Sequence, residues 1–145
     1  MRLYLDTSAL AKRYLHEVGS DDIKQIILQA DSVAISIVGK VEMFSALSRT
    51  PQYGVGEETI KLASQAFRED YSGLLFLKLH DGVVNLACEI AYKYKLRGFD
   101  AIHLATALIW MEEGEEMVHF YTYGHQLWHA AKKTKLKVFP EKIYN

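Results

Sequence analysis

The stretch Leu3-Tyr4-Leu5-Asp6-Thr7-Ser8 decides the fold class of this chain. An apolar run from Arg2 to Leu5 stops at an acid, and two hydroxyl residues lead into the amphipathic stretch Ala9 to Leu15. That order reads as strand, turn and helix. In open α/β sheets ligands gather in the crevice beyond the carboxyl ends of the strands, so an acid at that end faces solvent and substrate together. Asp6 is therefore either a helix cap or a ligand for something positive.

The same alternation continues outward. Short apolar runs at Arg2 to Leu5, Ser32 to Ser36, Leu74 to Leu79, Met117 to Tyr121 and Lys137 to Phe139 are predicted as strands. Between them the spacing predicts helices at Ala9 to His16, Ser20 to Ala30, Val38 to Arg49, Glu57 to Tyr71, Gly82 to Lys95, Gly98 to Glu113 and Gln126 to Lys133. In the fifth, Val83, Leu86, Ala87, Ile90, Ala91 and Tyr94 follow the spacing of one buried stripe. Strands that alternate with helices form parallel sheets, because parallel neighbours need crossover connections. The expectation is an α/β fold with a central parallel sheet of about five strands and helices on both faces. Thr50-Pro51 closes the third helix, Gly54 and Gly56 make a short loop, and no linker or repeat divides residues 1–145.

Composition narrows the function classes. A chain of 145 residues, 50% hydrophobic and 24% charged, is ordinary globular material and is expected to form a single domain. No apolar run is long enough to cross a bilayer, and Asp6 interrupts the N-terminal run before a signal-peptide core could form, so no membrane association is expected. The single cysteine, Cys88, is predicted on the apolar side of the fifth helix without a partner, which suits a reducing cytoplasm. Seventeen basic against eighteen acidic residues provide no global positive field, so a phosphate-bearing substrate would need local cations.

Two more acids stand at helix positions. Glu42 lies among Val38, Val41, Phe44 and Leu47, which are predicted to hold their helix against the sheet. Asp100 falls in the first turn of the sixth helix, ahead of the stripe Ala101, Leu104, Ala105 and Leu108. Each acid alone has a structural reading: Asp6 a cap, Glu42 a solvated flank, Asp100 a partner of the helix dipole.

Together the three words Leu5-Asp6-Thr7-Ser8-Ala9-Leu10, Val41-Glu42-x-x-x-Ala46-Leu47 and Arg97-x-x-Asp100-Ala101-x-His103-Leu104-Ala105-Thr106-Ala107 resemble the PIN-domain nucleases. Within that family the chain is most similar to the small VapC-type toxins of prokaryotic toxin–antitoxin pairs. The resemblance implies a PIN-like fold over residues 1–145, with Asp6, Glu42 and Asp100 as catalytic and metal-binding acids and Ser8 as a supporting hydroxyl. It implies Mg²⁺ or Mn²⁺ as cofactor and endonucleolytic hydrolysis of RNA to a 5′-phosphate and a 3′-hydroxyl. It also implies a homodimer and a protein antitoxin that covers the acidic groove, for which Phe44 and Phe67 are either contact residues or core. A fourth acid is expected in a word reading Thr-x-Asp-x-x-Leu; here that word is Thr122-Tyr123-Gly124-His125-Gln126-Leu127, with Thr122 in a supporting place and Gly124 in the acid's place.

The chemistry agrees with the resemblance. Converging carboxylates repel one another, and a hard divalent cation relieves that repulsion with oxygen ligands alone. Such a cation can activate water for attack on a phosphodiester. With the fourth acid missing, one ion is expected to be held by Asp6 and Asp100 and a second only weakly. Lys12, Arg13, Lys40 and Arg97 are the candidate RNA contacts, Arg97 being also a partner for Asp100 across one turn. Tyr123 is a candidate for stacking on a base, whereas Trp110 and Trp128 are expected to pack. His125 and His129 share a helical face but lack a carboxylate or thiolate nearby.

Three rivals are weighed. An aspartyl phosphatase would want a second acid where Ser8 stands, and a receiver domain would want an acidic pair at the first strand. A PIN fold serving as an inactive binding or scaffold module is the third, and Gly124 is the feature in its favour.

Overall fold

Arg2–Leu5 and Ser32–Ser36 are almost entirely buried along their length, as strands covered on both faces must be. In the computed structural model, which describes residues 1–143, they lie side by side within a parallel sheet. The elements run β1 (Arg2–Leu5), α1 (Thr7–Tyr14), α2 (Ser20–Gln29), β2 (Ser32–Ser36), α3 (Val38–Arg49), α4 (Glu57–Glu69), β3 (Leu75–Leu77), α5 (Asp81–Tyr94), α6 (Gly98–Gly114), β4 (Val118–Tyr121), α7 (His125–Ala131) and β5 (Lys137–Phe139). Short 3₁₀ turns follow α3 and α4 at Thr50–Tyr53 and Asp70–Gly73. The five strands order as β3-β2-β1-β4-β5 and every pair is parallel, as the alternation of elements required.

That order places the functional end of the molecule. From β1 the chain winds outward through β2 to β3, then returns by α5 and α6 to β4 on the opposite side of β1. Winding reverses at β1, so the crevice of the sheet opens beyond the carboxyl ends of β1 and β4. Asp6 and Thr122 are the first residues past those two ends.

Two cores cover the sheet. Side chains alternate along a strand, so Leu3 and Leu5 face one side and Tyr4 the other. The first side packs Leu3, Leu5, Val33 and Ile35 with Leu10, Ile23, Met43 and Phe67 from α1 to α4. The second packs Tyr4, Phe120 and Val138 with Val83, Ile90, Leu104 and Leu127 from α5 to α7. By the same alternation Asp6, extended in backbone, shares the side of Tyr4, where α6 carries Asp100 and His103.

Several predicted details shift. α1 begins at Thr7, because Asp6 itself occupies the capping position, and β3 has three residues rather than six. Val41 does not join the stripe that anchors α3: it is 70% exposed, and Gly39, Met43 and Leu47 face the interior instead. Gly39 rides directly on the Ile35 side chain, so the helix approaches the sheet closely. Cys88 points to solvent, one residue past the buried Ala87 and thus about 100° off the stripe of α5.

Phe67, one of the two aromatic residues expected either at a partner contact or in the core, is core. Its ring is fully buried, with Tyr14, Phe44, Tyr71 and Phe76 at centroid distances of 5.4, 5.7, 5.0 and 6.4 Å. Phe44 packs half-buried against it. Replacing Phe67 by alanine is expected to cost about 3–5 kcal/mol, the usual range for truncating a buried aromatic, measured as a lowered urea midpoint with an unchanged slope.

Candidate active site

Asp6 is both a cap and the centre of a polar junction. Its Oδ1 accepts from the Ala9 backbone N–H (2.9 Å) and from the Ser8 hydroxyl (2.6 Å), while Oδ2 accepts from the Thr122 hydroxyl (2.6 Å). The two hydroxyls are themselves engaged, Ser8 Oγ accepting from Tyr123 N–H (2.9 Å) and Thr122 Oγ1 from Gly124 N–H (3.1 Å). The start of α1 and the loop from β4 to α7 are thus laced together through one carboxylate. Asp6 is 4% exposed, and burial pushes its pKa up despite the nearby His103 and the three hydrogen bonds, all of which pull it down.

Glu42 is not a solvated flank. His103 Nε2 lies 2.6 Å from Glu42 Oε1, and the Thr7 hydroxyl donates to the same oxygen at 2.8 Å. On the other side of the ring Nδ1 lies 2.9 Å from the Tyr4 hydroxyl, and Tyr4 Oη accepts in turn from Ser36 N–H at 3.0 Å. A buried relay therefore runs from β2 through β1 and α6 to a carboxylate on α3. Partial burial alone would raise the pKa of Glu42, but the hydrogen bond and charge of His103, helped by Thr7, outweigh it and hold the group below its ordinary range.

Asp100 has the opposite balance. Half-buried in the first turn of α6, it is pushed upward by burial first and by the charge of Asp6 next; Glu42 adds to the rise, while His103 and Arg97 oppose it. Among the described residues no side-chain hydrogen bond engages it. Glu42, Arg97, Gly98, Phe99 and Asp100 line one open cleft. Asp6 does not line this cleft, but its charge acts on Asp100. The three predicted acids thus interact, but no group of three or more His, Cys, Asp or Glu side chains among the described residues is placed to hold a metal ion. Hydroxyls hold Asp6, and His103 holds Glu42.

The predicted cations divide. Lys12 is buried and committed: its ammonium donates to Val18 O at 2.7 Å, pairs with Glu17 at 3.4 Å and sits 4.3 Å from the centre of the Tyr123 ring. Tyr123 is engaged there as well, since its ring presses on Gly19, whose φ of +89° and missing Cβ both require glycine. Arg13 pairs with Asp70 at 3.1 Å, and Lys40 lies over the Tyr71 and Phe76 rings at 4.5 and 4.2 Å. Arg97 alone of the four lines the cleft, and it makes no ion pair among the described residues. Trp110 and Trp128 pack as expected, Arg2 stacking 3.9 Å from the Trp110 ring centre and the Trp128 indole donating to Pro140 O at 2.7 Å.

Sequence reasoning missed the relay. In the sequence Thr7 stands only as a turn hydroxyl and Tyr4 only as a strand residue, although Tyr4 shares the parity of Asp6. At Gly124, where a fourth acid is expected, the φ of −80° suits any residue, and a Cβ would meet Thr122 Oγ1 at 3.5 Å and Leu127 Cβ at 3.8 Å, ordinary contacts.

A sheet of order β3-β2-β1-β4-β5 with an acid beyond its central strand defines a recognisable class. The PIN-domain model matches residues 3–133, and the chain belongs to the PIN-domain family. Among its relatives is Ribonuclease VapC46 of Mycobacterium tuberculosis, 29% identical over 136 residues that span 94% of this chain and 95% of the relative. Among solved structures, a toxin–antitoxin complex from Klebsiella pneumoniae matches with a TM-score of 0.67 and 18% identity over 99% of this chain and 100% of that one. VapBC2 from Rickettsia felis, bound to a DNA fragment from their promoter, matches at 0.64 with 12% identity over 100% of both chains. These two likenesses establish the shared fold.

The raised proton affinity of Asp100 has a consequence for stability. A carboxyl that holds its proton more tightly folded than unfolded makes the fold less stable as pH rises from the ordinary carboxylate range through its folded pKa. Without divalent cation, Asp100→Asn should therefore melt above the parent protein at pH 7, and the difference should vanish on acidification below the ordinary carboxylate range. Thermal melts across pH in EDTA measure this; equal melting temperatures at pH 7 would contradict it.

Proposed function

We propose that this PIN-domain protein is a metal-dependent endoribonuclease of the VapC toxin type, acting in the cytoplasm and held in check by a protein antitoxin. The observation that carries the reading is Asp100: a carboxylate raised in proton affinity by burial and by two neighbouring acids, in an open cleft with Arg97, neither side chain having a hydrogen-bond or ion-pair partner among the described residues. The named ribonuclease relative and the toxin–antitoxin neighbours support the activity and the partner. A homodimer is part of the same reading. No helix among the described residues is long and apolar enough to cross a membrane.

The donor set fits a hard cation. Asp6 and Asp100 offer carboxylate oxygens, Asp100 with both free, and their mutual repulsion is what a divalent ion would relieve. Mg²⁺ in particular keeps several waters and takes one or two carboxylates, so it does not need a closed cage of three. When bound, Mg²⁺ or Mn²⁺ would supply Lewis acidity that lowers the pKa of water and offsets charge on the leaving oxygen. The chain supplies the rest. His103 and Thr7 fix Glu42 ionised through Oε1, leaving Oε2 to orient an attacking water. Ser8 and Thr122 fix the rotamer of Asp6. Arg97 neutralises the scissile phosphate, and the cut leaves a 5′-phosphate and a 3′-hydroxyl.

Cleavage of a structured RNA with Mn²⁺ or Mg²⁺ tests this. EDTA should abolish it, and Asp6→Asn or Asp100→Asn should lower kcat by at least about 100-fold, the upper end of what outer-shell partners of a metal site cost. Traces equal to those of the variants would favour the second reading, an inactive PIN-fold binding module, for which Gly124 speaks. Gly124 also permits a gain-of-function test, since its backbone and surroundings accept a side chain. Gly124→Asp is expected to tighten Mn²⁺ binding and raise cleavage by about tenfold, within the range that metal-site partners command. Two tight, equivalent Mn²⁺ sites in the parent protein, measured by calorimetry, would contradict the one-metal form of this proposal.

A further inference from the structure

Two segments of this nearly neutral chain contain no acid. Residues 90–99 carry Lys93, Lys95 and Arg97, and residues 117–140 carry Lys132, Lys133, Lys135 and Lys137. They hold seven of the seventeen lysines and arginines and none of the eighteen acidic residues. The fold brings parts of both together: Lys93, Tyr94, Lys95, Gln126, His129 and Lys133 line a second cleft, between the end of α5 and α7. The ammonium groups of Lys93 and Lys133 approach the same Tyr94 ring, at 5.1 and 5.7 Å from its centre. None of the three lysines has an acidic partner within salt-bridge distance among the described residues. Cations so grouped repel one another, and the shared ring relieves this only in part. The cleft suits an anionic ligand with repeated charges. It is joined in sequence to one of the acids, since Lys95 and Arg97 stand in the short link between α5 and α6 and Asp100 lies in the first turn of α6.

We infer that this cleft is an RNA backbone site, which grips phosphates flanking the one positioned at Arg97 and Asp100. The inference relies on the nuclease reading only for the identity of the ligand. A strand leaving the acidic cleft past Arg97 meets Lys95, then Lys93 and Lys133 around the Tyr94 ring, with Gln126 and His129 adding further donors. Lys95 in the grip stands two residues before Arg97 in the site, so the substrate is an RNA with unpaired nucleotides beside the cut rather than a mononucleotide.

The test separates grip from cutting. A fluorescein-labelled 12-nucleotide single-stranded RNA is titrated with the Asp100→Asn protein in EDTA, from 50 to 300 mM KCl, with anisotropy as readout. Lys93→Gln, Lys95→Asn and Lys133→Gln are combined on that background; asparagine suits the left-handed backbone of Lys95, where φ is +55°. Loss of three phosphate contacts should flatten the slope of log K against log salt by about 2 and weaken binding at least about tenfold at the lowest salt. Lys93→Arg with Lys133→Arg should retain affinity. Lys24→Ala with Lys61→Ala, on the exposed faces of α2 and α4, should change little. An unchanged slope and affinity in the triple variant overturns the inference, as does an Asp100→Asn protein that binds no RNA. So does a triple variant that loses affinity for poly-glutamate while keeping its RNA affinity, which would assign the cleft to an acidic polypeptide. If the parent binds RNA through this cleft but cuts none, the inference stands and the catalytic reading falls.

Discussion

One buried carboxylate joins the parts of this molecule that matter. Asp6 closes β1, caps α1 and accepts hydroxyls that carry the loop from β4 to α7, so one side chain ties three segments together beyond the sheet ladder itself. Such a group is costly. Removing a carboxylate from water is repaid only when its oxygens are satisfied, and here three donors fail to restore its ordinary pKa. The fold tolerates an acid at its switch point because hydrophobic cores on both faces of the sheet hold the surrounding backbone in place.

The neighbouring acids are tuned in opposite directions by ordinary means. Glu42 gains an imidazole and a hydroxyl and stays ionised, whereas Asp100 gains only like charges and partial burial and resists ionisation. Environments that push carboxyl pKa values apart are how one pocket acquires different chemical roles. His103 separates the two cases. Buried against Tyr4 and facing Glu42, it spends both ring nitrogens on one side of the pocket. Asp100 is left to find its counter-charge elsewhere, and of the predicted cations Arg97 lines its cleft and lacks an ion-pair partner among the described residues.

Much of this was legible from residue order. An apolar run ending at Asp6, with hydroxyls and an amphipathic stretch behind it, specifies strand, cap and helix because those periods and capping preferences are local. The reading of Asp6 as cap or ligand did not have to be resolved, since the cap is real and leaves lone pairs to spare. Glu42 was harder. Of the residues expected to anchor its helix, Leu47 is buried and Phe44 partly so but Val41 is exposed, and Gly39 lies against Ile35, a close approach that periodicity does not reveal. Lys12, Lys40 and Tyr123 looked like surface groups and are committed to ion pairing, backbone or aromatic faces. The basic cleft escaped notice because its lysines come from segments about forty residues apart, and a net charge near zero conceals a local excess.

By itself, then, the sequence determined the order of strands and helices, the parallel sheet and the three acids with their place at a strand end, within α3 and in the first turn of α6. Each of these follows from local periodicity, capping and connection length. Tertiary structure alone decided which acid is ionised, which cations remain free and where the lysines gather. Those properties depend on distances between residues remote in the chain, and electrostatic energies change steeply with distance and burial.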